Sequence, residues 1–417
     1  MDKSLFKKNR KKLMNNLENN SMVILFSGNA PVKSEDENYQ FTPNRNFYYF
    51  TGIDEEDLIL LMIKLENEVS EYLFIKEIDE EKERWVGKSI RDYEAKEISD
   101  IINVDTINNF DDFINKKLKA YSDFNIYLDF SKSHNDVLTK EKIMAKKLLE
   151  LYPYIRIKNI YPSIIPLRLV KEKEEIENIQ RAIDITIKGI KNIMVNAKPE
   201  MMEYELEAYF EFACRKVGVK DYAFKTIAAS GKNATILHYV NNNSRCKADD
   251  LVLFDLGAQY NYYNGDITRV FPISGKFTER QKQVYNAVLS VNKRVISVIK
   301  PGLKYLDLNK MARKWIAEEC IKLGLIESEE EVGKYYWHSI GHSLGLDTHD
   351  IDRMDRNTIF EEGMVWTVEP GIYIEEEGIG IRIEDDIVVT KDGANVLTKD
   401  MIKEIDEIEK FMEKRGK

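Results

Sequence analysis

Residues 338–350 read His-Ser-Ile-Gly-His-Ser-Leu-Gly-Leu-Asp-Thr-His-Asp, and they hold three of the chain's five histidines. The other two are His134 and His238. A lone histidine is usually a hydrogen-bonded structural residue. Three in one short stretch, set among glycines, point to ligands or proton carriers. His338 and His342 are four apart, the spacing of a helical zinc pair. A zinc helix of that kind needs Glu directly after the first His, and Ser339 stands there instead. Gly341 and Gly345 would each weaken a helix by about 1 kcal/mol relative to Ala. The stretch is therefore expected to be a glycine-bent loop or strand edge.

Outward from it, four acids stand in apolar, strand-like settings. They are Asp255 in Leu-Val-Leu-Phe-Asp-Leu-Gly, Asp266 in Asn-Gly-Asp-Ile-Thr-Arg, Glu369 in Val-Trp-Thr-Val-Glu-Pro-Gly and Glu384 in Ile-Arg-Ile-Glu-Asp-Asp-Ile. Any one of them, among 72 acids, reads as a turn or edge carboxylate. Together they are harder to dismiss. A buried, unpaired carboxylate costs several kcal/mol, and four brought together repel one another. Two divalent cations would balance them, with neutral His342 as a fifth ligand. Oxygen-rich ligation of this kind suits a hard or borderline ion such as manganese. Alternation along a strand puts Arg382 on the same face as Glu384, where an arginine can orient a ligating carboxylate. Ser230-Gly231-Lys232 is not a phosphate loop: position 226 is Thr, not Gly, and Asn233 follows the lysine.

The rest of the chain bounds the answer. Its 417 residues suggest two or three domains, and 43% hydrophobic with 32% charged residues is ordinary globular composition. A net charge of −10 argues against nonspecific nucleic-acid binding. No run approaches the roughly 18 apolar residues of a membrane span. The basic cluster Lys3, Lys7, Lys8, Arg10, Lys11 and Lys12 is followed by no apolar signal core. Leu5, Phe6, Leu13 and Leu17 recur at helical spacing, which predicts a surface helix with a solvated basic face. Cys214, Cys246 and Cys320 lie far apart, which suits a reducing cytoplasm and argues against a thiolate metal site.

Residues 1–165 read as a smaller mixed α/β domain, with strands at 22–26, 47–50 and 58–65 and a helix near 141–151. The pattern breaks at two prolines in 161–166. Helices at 172–195 and 203–217 then open a domain spanning 166–417. There strands at 251–256, 260–271, 364–368 and 379–390 group around helices near 279–299 and 306–323, an α+β pattern.

In the order Asp255, Asp266, His342, Glu369, Glu384, the candidate ligands resemble the metal set of the pita-bread-fold metallopeptidases. That family includes methionine aminopeptidase, prolidase and aminopeptidase P. Spacings of 11 between the aspartates, 27 from His342 to Glu369 and 15 from Glu369 to Glu384 are similar to its pattern. The His338–Asp350 segment, Ala-Ser-Gly-Lys-Asn-Ala-Thr-Ile-Leu-His-Tyr around His238, and Pro-Leu-Arg-Leu-Val-Lys resemble its proline-directed members. Asn-Phe-Tyr-Tyr-Phe-Thr-Gly at 46–52 resembles the N-terminal domain of the aminopeptidase P branch. Arg84-Trp85-Val86-Gly87 resembles a segment that sends a tryptophan into a neighbouring subunit's site.

The resemblance implies a pita-bread catalytic domain and release of the first residue from peptides with proline second. It implies attack by a hydroxide bridging two ions, with Asp255 on one ion, Asp266 and Glu384 shared, and His342 and Glu369 completing the other. Glu369 would carry the proton to the leaving proline nitrogen, and His238 and His349 would stabilise the oxyanion. His338, Tyr373 and Arg382 would line the proline pocket, with Arg382 also acting in catalysis. Trp85 would contact substrate across a homodimer or homotetramer. A prolidase confined to Xaa-Pro dipeptides remains the alternative, followed by a non-catalytic binding protein on the same fold. A methionine aminopeptidase fits the long N-terminal domain less well, and creatinase relatives lack the full ligand set.

Overall fold

Ser-Met-Val-Ile-Leu-Phe at Ser21–Phe26 is buried at every position, as a strand inside a sheet covered on both faces must be. This strand, β1, pairs antiparallel with β2 (Ile59–Leu65), which pairs with β3 (Glu68–Ile75), and β3 runs parallel to β4 (Asn103–Thr106). On its other side β1 runs parallel to β5 (Asn125–Leu128), and β5 to β6 (Arg156–Asn159). Helices Phe110–Ala120 and Lys140–Leu151 supply Phe110, Ile114, Leu118 and Leu148 to the core over Met22, Ile24, Leu61 and Ile126. The computed structural model describes residues 1–121, 123–131, 138–352 and 357–413. This sheet belongs to the first of two compact units, Met1–Leu167, and the second is Arg168–Lys417.

Three expectations for the first unit need correction. Helix Lys3–Asn15 buries Leu5, Phe6 and Leu13, but Arg10 of the supposed solvated face is buried with them. Positions 6, 10 and 13 share one side of a helix. There its Nε donates to Glu71 Oε2 at 2.9 Å, and its Nη1 to Phe50 O at 2.8 Å and Ser99 O at 2.9 Å. Residues 47–50 are not a strand but part of helix Arg45–Thr51. The Asn44 side chain caps its start, and Gly52, at φ 70°, closes its end. A short apolar run does not reveal its period, and here the caps decide. The prolines at 162 and 166 do not break the chain: both lie within helix Tyr161–Leu169. Pro162 falls in the first turn, where its missing N–H is not needed, so only Pro166 removes a helical hydrogen bond.

In the second unit, helices Lys173–Asn196 and Glu203–Lys216 precede the strands. Ile179, Ile183 and Ile187 form the buried stripe of the first. Strand β7 (Ile227–Ser230) joins β8 (Leu251–Leu256), and after the small hairpin β9 (Gln259–Tyr260) and β10 (Tyr263–Asn264), β11 (Ile267–Pro272) pairs on the other edge of β8. The expected strand 260–271 is thus interrupted. Asn261 and Tyr262 both adopt positive φ, at 48° and 64°, the two-residue turn that matches a hairpin's twist. Helices Glu279–Val298 and Tyr305–Lys322 follow. Strands β12 (Val365–Val368), β13 (Gly371–Ile374), β14 (Ile379–Arg382), β15 (Asp385–Val389) and β16 (Ala394–Val396) form two further sheets, β12-β15-β16 and β13-β14. The expected strand 379–390 therefore divides at 383–384 and changes sheet. The class is α+β.

Candidate functional site

Each candidate acid sits where a strand ends or begins. Asp255 lies near the end of β8, opposite Thr268 on one side and Ile227 on the other. Asp266 immediately precedes β11, and its backbone N–H donates to Asp386 Oδ2 at 3.0 Å. Glu369 immediately follows β12, its N–H bonded to Ile340 O at 2.9 Å. Glu384 occupies the sheet change between β14 and β15, its N–H on Thr268 O at 3.2 Å. The 338–350 stretch is non-helical, as its glycines predict. His342 O accepts from Thr367 N at 2.9 Å, and a Cβ at Gly341 would collide with Thr367 O. Only glycine lets the loop come this close to β12.

These placements converge. One ligand atom each from Asp266, His342 and Glu384 lie within 4.8 Å of one another. His342 Nε2 is 3.4 Å from Asp266 Oδ2 and 3.8 Å from Glu369 Oε1. His342 Nδ1 lies 3.1 Å from Ser343 O, which can only accept, so Nδ1 is the donor. Nε2 is left facing two carboxylates, where a cation between them would fit. Burial, followed by repulsion from Glu384 and Asp255, raises the pKa of Asp266 well above the carboxylate range. Burial and Glu384 do the same to Glu369, and burial with Asp255 pushes Glu384 up to about 7. Asp255 Oδ1 is buried with no hydrogen-bond partner among the described residues. Crowded carboxylates, an orphaned oxygen and one imidazole make a donor set that fits divalent cations.

The cluster lines a cavity of about 810 Å³ whose walls also include His238, His338, His349 and Arg382, and the apolar Phe224, Leu237 and Val240. The His342 and His349 rings are 4.2 Å apart, and burial together with His342 lowers the pKa of His349 to about 4. Burial, then Arg382, lowers that of His338 to about 3. His338 Nδ1 donates to Ser339 O at 2.8 Å, so its Nε2 accepts from the Tyr373 hydroxyl at 2.9 Å. His134 lies outside the described residues.

The chain is similar to known proteins along its whole length. The model of metallopeptidase family M24 matches residues 177–391, and that of the aminopeptidase P N-terminal domain matches residues 6–127. The Xaa-Pro aminopeptidase of Escherichia coli is 31% identical over 98% of this chain and 97% of its own. A solved Bacillus anthracis structure described as an aminopeptidase P is 49% identical, covers 100% of both chains and superposes with a TM-score of 0.97. Zinc-substituted E. coli aminopeptidase P in complex with product is 30% identical, with a TM-score of 0.93 and 100% of both chains covered. The chain belongs to metallopeptidase family M24, in its aminopeptidase P branch. As a member of M24 it has the α+β pita-bread fold and is a metal-dependent aminopeptidase, a hydrolase directed at proline, which sets the prolidase reading aside.

Within this M24 site two expectations are amended. Arg382 does not reach Glu384 directly, because β14 ends at Arg382 and the alternation stops there. Its Nη2 holds Asp255 Oδ2 at 2.5 Å, and its Nε donates to Thr268 Oγ1 at 3.1 Å, which in turn donates to Glu384 Oε2 at 2.6 Å. Tyr373, expected on the pocket wall, is buried, and its hydroxyl holds His338 and, at 3.0 Å, Arg382 Nη1.

Sequence reasoning also missed a buried ion cluster. The Asp350 carboxylate, 1% exposed, pairs with Arg168 and with Lys171 Nζ at 3.1 Å, while Asp350 N–H bonds Ser343 O at 2.8 Å. Burial would raise the pKa of Asp350, but Arg168 and Lys171 outweigh it and hold the carboxyl below its usual range. Pro-Leu-Arg-Leu-Val-Lys thus anchors the loop carrying His342 and His349. The signal was present in its two basic residues, but their partner lies some 180 positions away.

Proposed function

We propose that this chain releases the first residue of peptides whose second residue is proline, using two divalent cations, manganese by preference. Asp255, Asp266, His342, Glu369 and Glu384 would hold them, with Asp266 and Glu384 shared between both. The observation that carries the reading is His342 Nε2 lying 3.4 Å from Asp266 and 3.8 Å from Glu369 among buried carboxylates whose pKa values are raised by burial and mutual repulsion. Bound there, such cations acidify an attacking water towards a pKa of about 7 and oppose the charge that develops on the substrate carbonyl.

The chain's own residues would do the rest. Glu369 accepts the water's proton and passes it to the proline nitrogen as that bond breaks. His349, kept neutral at pH 7 by its lowered pKa, and His238 donate N–H groups to the developing oxyanion. Arg382 fixes Asp255 by hydrogen bonding. His338, held by Tyr373, offers a ring face to the pyrrolidine. Proline has no N–H and restricts the residue before it, so a pocket that recognises ring shape succeeds where one gripping an amide hydrogen fails.

Trp85 is 82% exposed on helix Glu80–Val86, which buries none of its residues. We read it as a contact to a neighbouring copy's substrate in a homodimer or homotetramer. We take 1–165 as the aminopeptidase P-like domain and 166–417 as the catalytic domain, a boundary supported by the division after Leu167. Three buried free cysteines suit the cytoplasm, and no helix among the described residues is long and apolar enough to cross a membrane. The deciding experiment strips the enzyme of metal, titrates manganese, and compares Xaa-Pro-Xaa, Xaa-Pro and Xaa-Ala-Xaa peptides. Recovery at two equivalents with Xaa-Pro-Xaa preferred supports the proposal. Recovery at one, or cleavage of Xaa-Pro alone, refutes it.

A further inference from the structure

Glu203 opens helix Glu203–Lys216 and is completely buried. An acid in the first turn of a helix ordinarily interacts with that helix's own dipole. Here the carboxylate instead gathers donors from residues 230–244. Its Oε1 accepts Ser230 N–H at 2.7 Å, the Ser230 hydroxyl at 2.7 Å and Asn233 Nδ2 at 3.0 Å. Its Oε2 accepts the Tyr239 hydroxyl at 2.9 Å and Ser244 N–H at 2.9 Å. No cation pairs with Glu203 among the described residues, so these five donors replace its hydration.

One helical turn on, Glu207 Oε2 accepts Asn242 Nδ2 at 2.9 Å, and the Asn242 side chain also donates to Thr226 O and accepts Ala228 N–H through its Oδ1. Residues 230–244 are therefore held at both ends and, through Tyr239, in the middle. The residue next to that middle anchor is His238, which is exposed and lines the peptidase cavity.

We infer that Glu203 is a positioning residue: it fixes the segment that presents His238 to the substrate. The inference rests on the proposed role of His238, since Glu203 touches no reacting atom. A strap of fifteen residues free to move by an ångström would leave the imidazole present but misplaced, which slows chemistry more than it weakens binding.

A double-mutant cycle tests this on the metal-loaded enzyme with an Xaa-Pro-Xaa peptide, using His238→Ala, Glu203→Gln and both together, and Tyr239→Phe in the same two backgrounds. The expected result is a fall in kcat of at least about tenfold for His238→Ala. Glu203→Gln lowers kcat about tenfold in the parent and less than about twofold in the His238→Ala background, with KM and bound metal unchanged. Tyr239→Phe follows the same pattern with a smaller step and serves as the test should Glu203→Gln fail to fold. Full effects in both backgrounds, lost metal, or unchanged kcat in both Glu203→Gln and Tyr239→Phe overturn the inference while leaving His238 its role. An unchanged kcat in His238→Ala overturns that role and the inference with it.

Discussion

Arg382 illustrates how much of this site rests on single side chains. Its three nitrogens hold Asp255, Tyr373 and Thr268, and Thr268 passes the constraint to Glu384. Lysine cannot make that fork, so Arg382→Lys is expected to lower metal affinity or kcat about 10–100-fold, measured by metal titration followed by kinetics. An enzyme that tolerates the change would show that the fork does not matter. Asp266→Ala or Glu384→Ala should lose bound metal and peptidase rate together, and retention of either refutes the shared-ligand assignment. His349→Ala should cost more than about tenfold in kcat, roughly 1.4 kcal/mol. At this scale the ligand candidates were legible because each acid stands in its own local motif. Arg382's true partner was not, because it depends on where β14 stops.

At the scale of elements, caps and turns decided what apolar runs could not. Gly52 closes helix Arg45–Thr51 at φ 70°, and a Cβ there would strike the ring of Phe6. Gly52→Ala should therefore destabilise by more than about 1 kcal/mol, read as a lower denaturation midpoint at unchanged slope. Helix Lys173–Asn196 carries a pH-sensitive element. Glu175, fully buried, accepts Glu172 N–H and the Tyr263 hydroxyl, both at 2.9 Å, yet burial pushes its pKa from 4.5 up to about 7. The folded state thus binds more protons than the unfolded between those values. The stability Glu175 contributes is complete below about pH 4.5 and lost as pH rises through about 7. Between pH 5 and 7.5 the parent should lose about 1–3 kcal/mol more unfolding free energy than Glu175→Gln. Equal losses, followed by the fluorescence of buried Trp366, would contradict this.

At the scale of the molecule, Trp85 is the feature its own unit does not explain. Its indole is 82% exposed on a helix that buries none of its residues, and the proposed contact to a neighbouring copy would cover it. Light scattering should give two or four times the chain mass for the parent. Trp85→Ala should lower activity on long peptides without loss of bound metal. A monomeric parent would end the shared-site reading.

The sequence by itself determined the fold family, the five ligand candidates and their order, because each is carried by residues within a few positions of one another. Tertiary structure alone decided which groups meet. Arg382 finds Asp255 from 127 positions away, Asp350 finds Arg168 from 182, and Glu203 gathers Tyr239 from 36. Buried hydrogen-bonding groups must be satisfied by whatever the packed chain brings within reach. That choice is made by how sheets change, strands end and loops close, and no local pattern encodes it.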